Sequence, residues 1–212
     1  MNDISAIRKD YQLKSLDEKD IDKDPLVQFR IWWTEALLSN IDELNAMTLA
    51  TADDKGKPSA RIVLLKGFDE KGFVFFSNYQ SKKAEDINKN PQACLVFFWK
   101  ELERQVRVEG IIEKTSAEES DAYFQSRPHG SKVGAWASPQ SRVIASRQII
   151  ENKAMEVEKK FEGNPVICPP FWGGYLLKPQ IVEFWQGRPD RLHDRIQYSC
   201  KKDIWEMVRL AP

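Results

Sequence analysis

The stretch Ala60-Arg-Ile-Val-Leu-Leu-Lys-Gly-Phe-Asp-Glu-Lys-Gly-Phe-Val-Phe-Phe-Ser77 places two apolar runs on either side of a turn. Both runs, Ala60–Lys66 and Phe73–Ser77, have the length and the branched or aromatic content of β-strands. The link Asp69-Glu-Lys-Gly72 is built from turn-forming residues. Because a parallel crossover needs about a dozen residues or more, so short a link permits only antiparallel pairing. The stretch therefore predicts part of an antiparallel meander.

Strand-like runs continue on both sides of this stretch. Met47–Thr51 precedes it across a second turn, Asp53-Asp-Lys-Gly56, and would be the first strand of the meander. Further strands are predicted at Ala93–Trp99, Gln105–Glu113, Gly174–Leu177, Gln180–Gln186, Arg191–Tyr198 and Ile204–Leu210. Short antiparallel strands with intervening helices predict an α+β protein, mainly β, built on a small closed or partly closed barrel.

Helix signals stand between the strands. The predicted helices are one that starts at Pro25 after the N-cap Asp24, one over Ser81–Asn90 capped by Ser81, one opened toward Phe124 by the capping box Ser116–Glu119, and one over about Gln140–Phe161. Helical spacing predicts that the first helix is apolar at Leu26, Phe29, Trp33 and Leu37.

Composition limits the kind of protein. With 212 residues, 42% of them hydrophobic, and seven tryptophans, the chain can build the core of one large domain. Its 32 basic and 32 acidic residues cancel, so no global field attracts nucleic acid or an anionic membrane. The three cysteines lack metal-ligand spacing and are typical of a reduced intracellular protein. Residues 1–20 are polar without a signal-peptide core, and no run reaches the ~18 apolar residues of a membrane span. We expect a cytoplasmic protein with a flexible segment over 1–20, a single domain over 21–212, and no metal.

The run Glu183-Phe-Trp-Gln-Gly-Arg-Pro-Asp-Arg-Leu-His-Asp-Arg195 is the first candidate for chemistry. In an extended segment, residues two apart point to one face, so Arg191, His193 and Arg195 would line one surface. Three potential cations on one face repel each other unless an anion lies between them. A solvated strand edge could carry the same residues.

A second candidate is an anion site at the helix that begins near Ser81. Lys82 and Lys83 occupy its first turn, where the helix dipole favours negative charge, so a bound phosphate would compensate them. Two solvated lysines are the alternative. Arg61 and Lys66 bracket a nearby strand, but five residues apart they face opposite sides of a regular strand. They would share a site only through a bulge, or if a long ligand wraps past the strand end.

Tyr123-Phe-Gln-Ser-Arg127-Pro-His-Gly-Ser131 supplies a phenol, a guanidinium and a hydroxyl that suit phosphate. Gln140 and Ser141, at the start of the predicted long helix, could cap it or face a ligand. The sequence holds no nucleophile–base pair, HExxH, GxGxxG or P-loop. Many phosphate-binding groups and few proton-transfer groups favour a cofactor that brings its own chemistry and is held by its phosphate.

Taken together, these segments closely resemble the FMN-dependent pyridoxamine/pyridoxine 5′-phosphate oxidase family. The resemblance runs from about Arg8 to the terminal Arg209-Leu-Ala-Pro212, in family order and spacing. The motifs that carry it are Arg61–Lys66, Glu103–Arg107, Tyr123–Pro128, Gly134–Trp136, Phe171–Gly174, Phe184–Gly187 and Arg191–Arg195. It implies an FMN-binding split β-barrel of Greek-key-like antiparallel type. It also implies a homodimer with FMN in two interface clefts, to which the region from about 170 to 212 contributes.

The resemblance also implies roles for individual residues. FMN would be held by Arg61, Ile62, Val63, Leu64, Leu65, Lys66, Phe76, Ser77, Lys82, Lys83, Gln105, Gln140, Ser141, Trp185 and Arg195. Substrate would be bound by Arg8, Tyr11, Lys66, Tyr123, Arg127, Ser131, Arg191 and His193, with the segment Arg8–Tyr11 as a lid. The catalytic pair would be Arg191 and His193. Lys82 stands where many members carry arginine, which keeps the charge but loses the bidentate fork.

The reaction so implied is the oxidation of pyridoxamine 5′-phosphate and pyridoxine 5′-phosphate to pyridoxal 5′-phosphate. A hydride passes from the substrate C4′ to flavin N5, the amine is released as ammonia, and O2 reoxidises the flavin to give H2O2. The alternative is a split-barrel flavin- or haem-binding protein without oxidase activity. Such relatives usually lack the Arg191–Arg195 run and the Tyr123, Arg127 and Ser131 set, and both are present here.

Overall fold

A computed structural model describes residues 10–212 of the chain. Its helices are α1 (Pro25–Leu38), α2 (Lys82–Lys89), α3 (Ala117–Ser126), α4 (His129–Ala137) and α5 (Gln148–Lys160). Its strands are β1 (Ala46–Ala52), β2 (Pro58–Leu64), β3 (Gly67–Asp69), β4 (Gly72–Asn78), β5 (Gln92–Trp99), β6 (Arg104–Lys114), β7 (Trp172–Gln186), β8 (Asp194–Lys201) and β9 (Ile204–Leu210).

The strands form one hydrogen-bonded sheet. Their order is β2-β1-β5-β6-β7-β4-β3, with β8 paired to β7 and β9 paired to β8. β2 and β3 are the two ends of the main order, although only Leu65 and Lys66 separate them along the chain. That is the connectivity of a barrel, as the sequence predicted.

The chain divides into two compact units. Of the described residues, unit 1 comprises 10–49, 94–110 and 179–212, and unit 2 comprises 50–93 and 111–178. In unit 2, β4 pairs antiparallel with β3 and with the first half of β7, where Phe75 lies opposite Tyr175. Helices α3, α4 and α5 of unit 2 share a separate apolar cluster that contains Phe124, Val133 and Trp172.

Unit 1 is held by aromatic packing and an antiparallel ribbon. The second half of β7 pairs with β8, and β8 pairs with β9. α1 begins as predicted. The Asp24 carboxylate accepts the Leu26 N–H at 2.8 Å, and Pro25 is the first residue of the helix. Trp32 of α1 meets Phe184 of β7 edge-on, with ring centroids 5.1 Å apart.

The meander was predicted only in part. The turn Asp69–Gly72 does close an antiparallel hairpin, but the arm opposite β4 is the short β3 and not the run Ala60–Lys66. β2 ends at Leu64 and is not a neighbour of β4 in the strand order. The backbone N–H of Lys66 already bonds to the Val74 carbonyl at 2.8 Å, so pairing with β4 starts only where β2 has ended.

Two helix predictions were wrong in detail. The buried stripe of α1 contains Trp32 and Ala36, whereas Leu37 is 56% exposed. The Arg104 guanidinium lies 4.2 Å from the Trp32 ring centroid, whereas Trp33 is half-buried and stacks on Phe29 with centroids 6.0 Å apart. The long helix begins at Gln148 and not at Gln140.

Two further local predictions differ from the structure. Helix α4 was not predicted, because proline and glycine near His129 were interpreted as a turn. Ser81 holds the N-cap position of α2, but its hydroxyl donates to the Asn78 carbonyl and caps no helical N–H. Within residues 10–212, no helix has the length and hydropathy to span a membrane.

Two adjacent glycines of β7 are required by close packing. A Cβ atom at Gly173 would lie 2.2 Å from the Tyr79 hydroxyl and 2.7 Å from the Ser120 hydroxyl. At Gly174 it would lie 2.4 Å from Oγ1 of Thr115. The small residues thus allow α3 and the end of β4 to pack directly on the backbone of β7.

Gly173→Ala should therefore destabilise the protein by about 1–3 kcal/mol, the usual cost of overpacking. Gly67→Ala is the matched control, because a Cβ there meets no atom within 4 Å. Urea unfolding followed by tryptophan fluorescence measures both. Equal midpoints for the two variants would contradict the packing argument.

Candidate functional site

Lys83 is the best-enclosed cation of unit 2. It occupies the first turn of α2, is 8% exposed, and donates from Nζ to Ser77 Oγ at 3.1 Å, Ser81 Oγ at 3.2 Å and Gln140 Oε1 at 3.1 Å. Burial, with a further contribution from nearby Arg61, lowers the pKa of Lys83 to about 8. A buried ammonium bonded only to neutral oxygens is well suited to receive an anion.

Asp86, one turn after Lys82 in α2, balances the neighbouring cations. Its carboxylate is buried, accepts Thr51 Oγ1 and Ser59 Oγ at 2.9 Å each, and pairs with Lys82. Arg61 Nη2 lies 3.9 Å from the same carboxylate. Burial would raise the pKa of Asp86, yet the hydrogen bonds from Lys82, Ser59 and Thr51 hold it below its ordinary value. Asp86 therefore stays ionised and fixes the two cations.

A second polar group lies against the aromatic cluster of unit 2. Tyr123 stacks on Phe76 with centroids 3.9 Å apart, and the Arg127 guanidinium carbon lies 4.6 Å from the Trp172 ring centroid. Nη1 of Arg127 is buried and has no hydrogen-bond partner within residues 10–212. An unsatisfied buried donor is costly, and a bound acceptor would remove that cost.

Both groups line one cleft of about 980 Å³ that lies wholly within unit 2. The sequence-predicted residues found in its wall are Arg61, Ile62, Val63, Leu64, Lys66, Phe76, Ser77, Lys82, Lys83, Tyr123, Arg127, Ser131, Gln140 and Ser141. Arg61 and Lys66 thus line the same cleft, because Lys66 lies beyond the end of β2. Predicted Leu65 is buried instead. The prediction missed the wall residues Asn78, Pro128, Gly134, Ala135, Ser138 and Trp172, of which Pro128, Gly134, Ala135 and Trp172 belong to quoted motifs.

Gln140 and Ser141 reach the cleft from a loop and not from a helix start. Ser141 adopts a left-handed backbone with φ 69°, and Arg142 pairs with Glu85 of α2 at 2.6 Å. The Gln140 side-chain oxygen accepts from Lys83 and from Ser77. Side-chain hydrogen bonds and an ion pair to α2 and β4 therefore fix the position of this loop, which is not part of a helix.

The remaining predicted residues cluster in unit 1. The Trp185 and His193 rings lie 4.6 Å apart, and Tyr11 meets both edge-on at 5.7 and 5.9 Å. Nδ1 of His193 accepts the Arg188 backbone N–H at 3.1 Å, which requires an unprotonated Nδ1. Burial, and then the charge of Arg191, lowers the pKa of His193. The imidazole is therefore a neutral donor through Nε2.

The predicted common face of Arg191, His193 and Arg195 was wrong. β8 begins only at Asp194, and Arg191 lies in a 3₁₀ turn with a left-handed φ of 61°. Arg191 is exposed and makes no hydrogen bond or salt bridge with residues 10–212. The left-handed backbone at Asp190 and Arg191 interrupts the alternation that an extended strand would give.

Arg195 is held by a buried carboxylate. Glu183 is 2% exposed and accepts Arg195 Nε at 2.8 Å and Arg107 Nη2 at 2.6 Å. Burial would raise the pKa of Glu183, but these two guanidinium groups lower it. Gln105 lies half-buried on β6. Arg8 lies outside the described residues.

Sequence comparisons identify relatives along the whole chain. The family profile described as "Pyridoxamine 5'-phosphate oxidase" matches residues 33–161, and that described as "Pyridoxine 5'-phosphate oxidase C-terminal dimerisation region" matches residues 172–212. A curated pyridoxine/pyridoxamine 5′-phosphate oxidase from Burkholderia mallei is 55% identical over 215 residues, covering 100% of both chains. The protein of that name from Burkholderia thailandensis is 54% identical with the same coverage.

Two solved structures extend the comparison. PhzG from Burkholderia lata, in complex with tetrahydrophenazine-1-carboxylic acid, is 26% identical with a TM-score of 0.88, over 94% of this chain and 99% of that one. A pyridoxamine 5′-phosphate oxidase-related, FMN-binding protein from Nostoc punctiforme has a TM-score of 0.71 at 19% identity, over 91% and 100% of the chains. The second likeness shows the fold alone. The predicted split β-barrel is confirmed, and the chain belongs to the pyridoxamine 5′-phosphate oxidase family of oxidoreductases.

Proposed function

We propose that this protein is an FMN-dependent oxidase of pyridoxamine 5′-phosphate and pyridoxine 5′-phosphate, and that it works as a homodimer. One observation carries the proposal: a single cleft holds two sets of phosphate-binding groups on different elements. Lys82, Lys83 and Arg61 form one set, and Arg127 with Ser131 forms the other. Two phosphorylated ligands, a cofactor and a substrate, would use one set each.

The residues present fit the FMN phosphate. Lys83 is buried against neutral oxygens at the first turn of α2, where a dianion would restore its charge balance. Ser77 and Gln140, which already contact Lys83, would add neutral hydrogen bonds. When bound, FMN would accept the hydride from substrate C4′ and pass the electrons to O2.

The protein's own residues would bind and orient the substrate. Arg127, with its unsatisfied Nη1, would take the substrate phosphate together with Tyr123, Ser131 and Lys66. Arg191, a fixed cation, would stabilise negative charge on the substrate, and neutral His193 would donate from Nε2. No proton relay from His193 is required by this arrangement. Its Nδ1 lone pair is engaged by the Arg188 N–H.

The homodimer supplies the other wall of the cleft in this proposal. Trp185, Arg191, His193 and Arg195 all fall in the segment that matches a dimerisation region. We infer that this cluster of one protomer completes the cleft of its partner, with Gln105 beside it. The FMN set predicted from the sequence would then be assembled from both chains.

Anaerobic titration tests the function directly. Purified protein should show the visible bands of bound FMN, and pyridoxamine 5′-phosphate added without O2 should bleach them. Admission of air should restore the bands with release of H2O2. Bound flavin that no B6 phosphate bleaches would favour a carrier, and bleaching only by a phosphate-free ring acid would favour a PhzG-like substrate.

FMN affinity should fall as pH rises above about 8. Lys83 loses its proton above that pH in the apoprotein, whereas a bound dianion favours the protonated form, so binding takes up a proton. The decline should approach about tenfold per pH unit, measured by flavin fluorescence quenching between pH 7 and 9.5. Lys83→Met should bind weakly and without this slope.

Lys82→Met is the matched control for this titration. The hydrogen bond to Asp86 raises the pKa of Lys82, so that lysine stays charged across the range. The Lys82 variant should keep the wild-type slope. A slope lost in the Lys82 variant and kept in the Lys83 variant would reverse the assignment.

Arg127→Ala should chiefly weaken substrate binding. Loss of a charged hydrogen bond to phosphate costs roughly 1.5–3 kcal/mol, about ten- to a hundredfold in affinity. Steady-state KM and flavin content measure the effect, with Lys153→Ala on α5 as an exposed control. An unchanged KM with intact flavin would place the substrate phosphate elsewhere.

Arg191→Met should impair anaerobic flavin reduction more than His193→Asn does. The arginine is always charged, whereas His193 is neutral and already committed at Nδ1. Stopped-flow absorbance gives the substrate affinity and the reduction rate for each variant. If His193→Asn alone abolished reduction while substrate bound normally, His193 would be the catalytic base.

A further inference from the structure

The segment Tyr11–Glu18, here called the N-terminal strap, is tied to unit 1 through its backbone. Oε2 of Glu103 accepts the N–H groups of Gln12 at 2.9 Å and Leu13 at 3.1 Å. Asp194 accepts the Leu16 N–H at 3.0 Å. At its far end, Glu18 receives both Nε and Nη2 of Arg209 at 2.8 and 2.6 Å. In this strap without helix or strand structure, carboxylates thus accept the backbone N–H groups of Gln12, Leu13 and Leu16.

Glu103 is the most enclosed of these anchors. It is 3% exposed, and its backbone adopts a left-handed φ of 55° after a 3₁₀ turn at Lys100–Leu102. Its carbonyl accepts the Gly187 N–H at 2.7 Å and Gln186 Nε2 at 3.2 Å. One residue therefore binds the strap through its side chain and the end of β7 through its backbone.

This double attachment sets the position of Tyr11. A Cβ atom on Gly187 would lie 2.7 Å from Cγ of Tyr11, so the ring packs directly over the glycine backbone. The same ring meets the edges of Trp185 and His193 at centroid distances of 5.7 and 5.9 Å. Gln12, bound to Glu103, is the next residue along the chain. Any shift of the Glu103 anchor would move Tyr11 off this surface.

We propose that Glu103 is a positioning residue that holds the N-terminal strap so that Tyr11 extends the Trp185–His193 surface into a wall against the substrate ring. The inference rests on the proposed function for the identity of the substrate. Glu103 touches neither substrate nor cofactor in this proposal and acts only through Gln12, Leu13 and Tyr11. Its removal should release the strap and weaken substrate binding while FMN stays bound.

Limited proteolysis tests the anchoring without any turnover. The Lys14–Ser15 bond lies between the strap residues held by Glu103 and by Asp194. Loss of a charge-assisted anchor should raise the open population of the strap about ten- to a hundredfold, and trypsin cleavage after Lys14 should rise in proportion. Mass spectrometry follows the cleavage in the FMN-loaded dimer of Glu103→Ala. Glu101→Ala is the control, because that exposed residue pairs only with Lys100 in the same turn.

A double-mutant cycle tests the route of the effect. Tyr11→Ala and Glu103→Ala should each raise the KM for pyridoxamine 5′-phosphate about tenfold, and the double variant should be no worse than Tyr11→Ala alone. Glu103→Gln, which keeps an acceptor oxygen, should return both KM and cleavage toward wild type. Because its neutral amide oxygen is a weaker acceptor than a carboxylate, Glu103→Gln should still be cleaved faster than wild type, so this variant decides the matter if Glu103→Ala fails to fold.

Three results would overturn the proposal. They are unchanged cleavage after Lys14 in both Glu103 variants, KM effects of Tyr11 and Glu103 that multiply in the double variant, and loss of FMN in step with any rise in KM. If the wild-type protein oxidises neither B6 phosphate, the proposed function fails, whereas the cleavage pattern still decides whether Glu103 anchors the strap.

Discussion

A cleft that gathers Arg61, Lys82 and Lys83 must offset the repulsion between three positive charges before any anion arrives. Asp86 offsets the charges of Arg61 and Lys82. It is a buried carboxylate, and its hydrogen bonds keep it ionised. Lys83 has no such partner among residues 10–212 and is surrounded by neutral oxygens, so its pKa falls. Removing one partner of a buried ion pair is costly, so cation positions and the local fold depend on each other.

The same constraint recurs in unit 1. Glu183 holds Arg107 and Arg195 together, and Asp194 and Glu103 take up the backbone donors of the N-terminal strap. Carboxylates, of which Glu103 and Glu183 are buried, therefore fix both the cationic residues Arg107 and Arg195 and the segment that carries Tyr11. Such sites are organised before ligand binding, which reduces the conformational entropy lost when phosphate binds.

Much of this arrangement was predictable where local rules decide. The capping box at Ser116 formed as predicted, and so did the Asp24–Pro25 start of α1. Most cleft residues came from motifs whose order and spacing specified the family. Other features depend on tertiary contacts that a sequence pattern does not reveal. Left-handed backbone at Ser141 and Arg191 interrupts two predicted elements. Trp32 packs against Phe184 and Arg104, which are both distant in sequence.

In the proposed homodimer, the cleft of one protomer is completed by the Trp185–His193 cluster of the other. Mixed dimers of Arg127→Ala and Arg191→Met chains, purified through two different tags after co-expression, test it. If the site is shared, each mixed dimer contains one site free of both changes, and we expect about half of wild-type activity from two impaired parents. If each chain builds its own site, both sites stay damaged. Activity no higher than that of the parent variants would rule out a shared site.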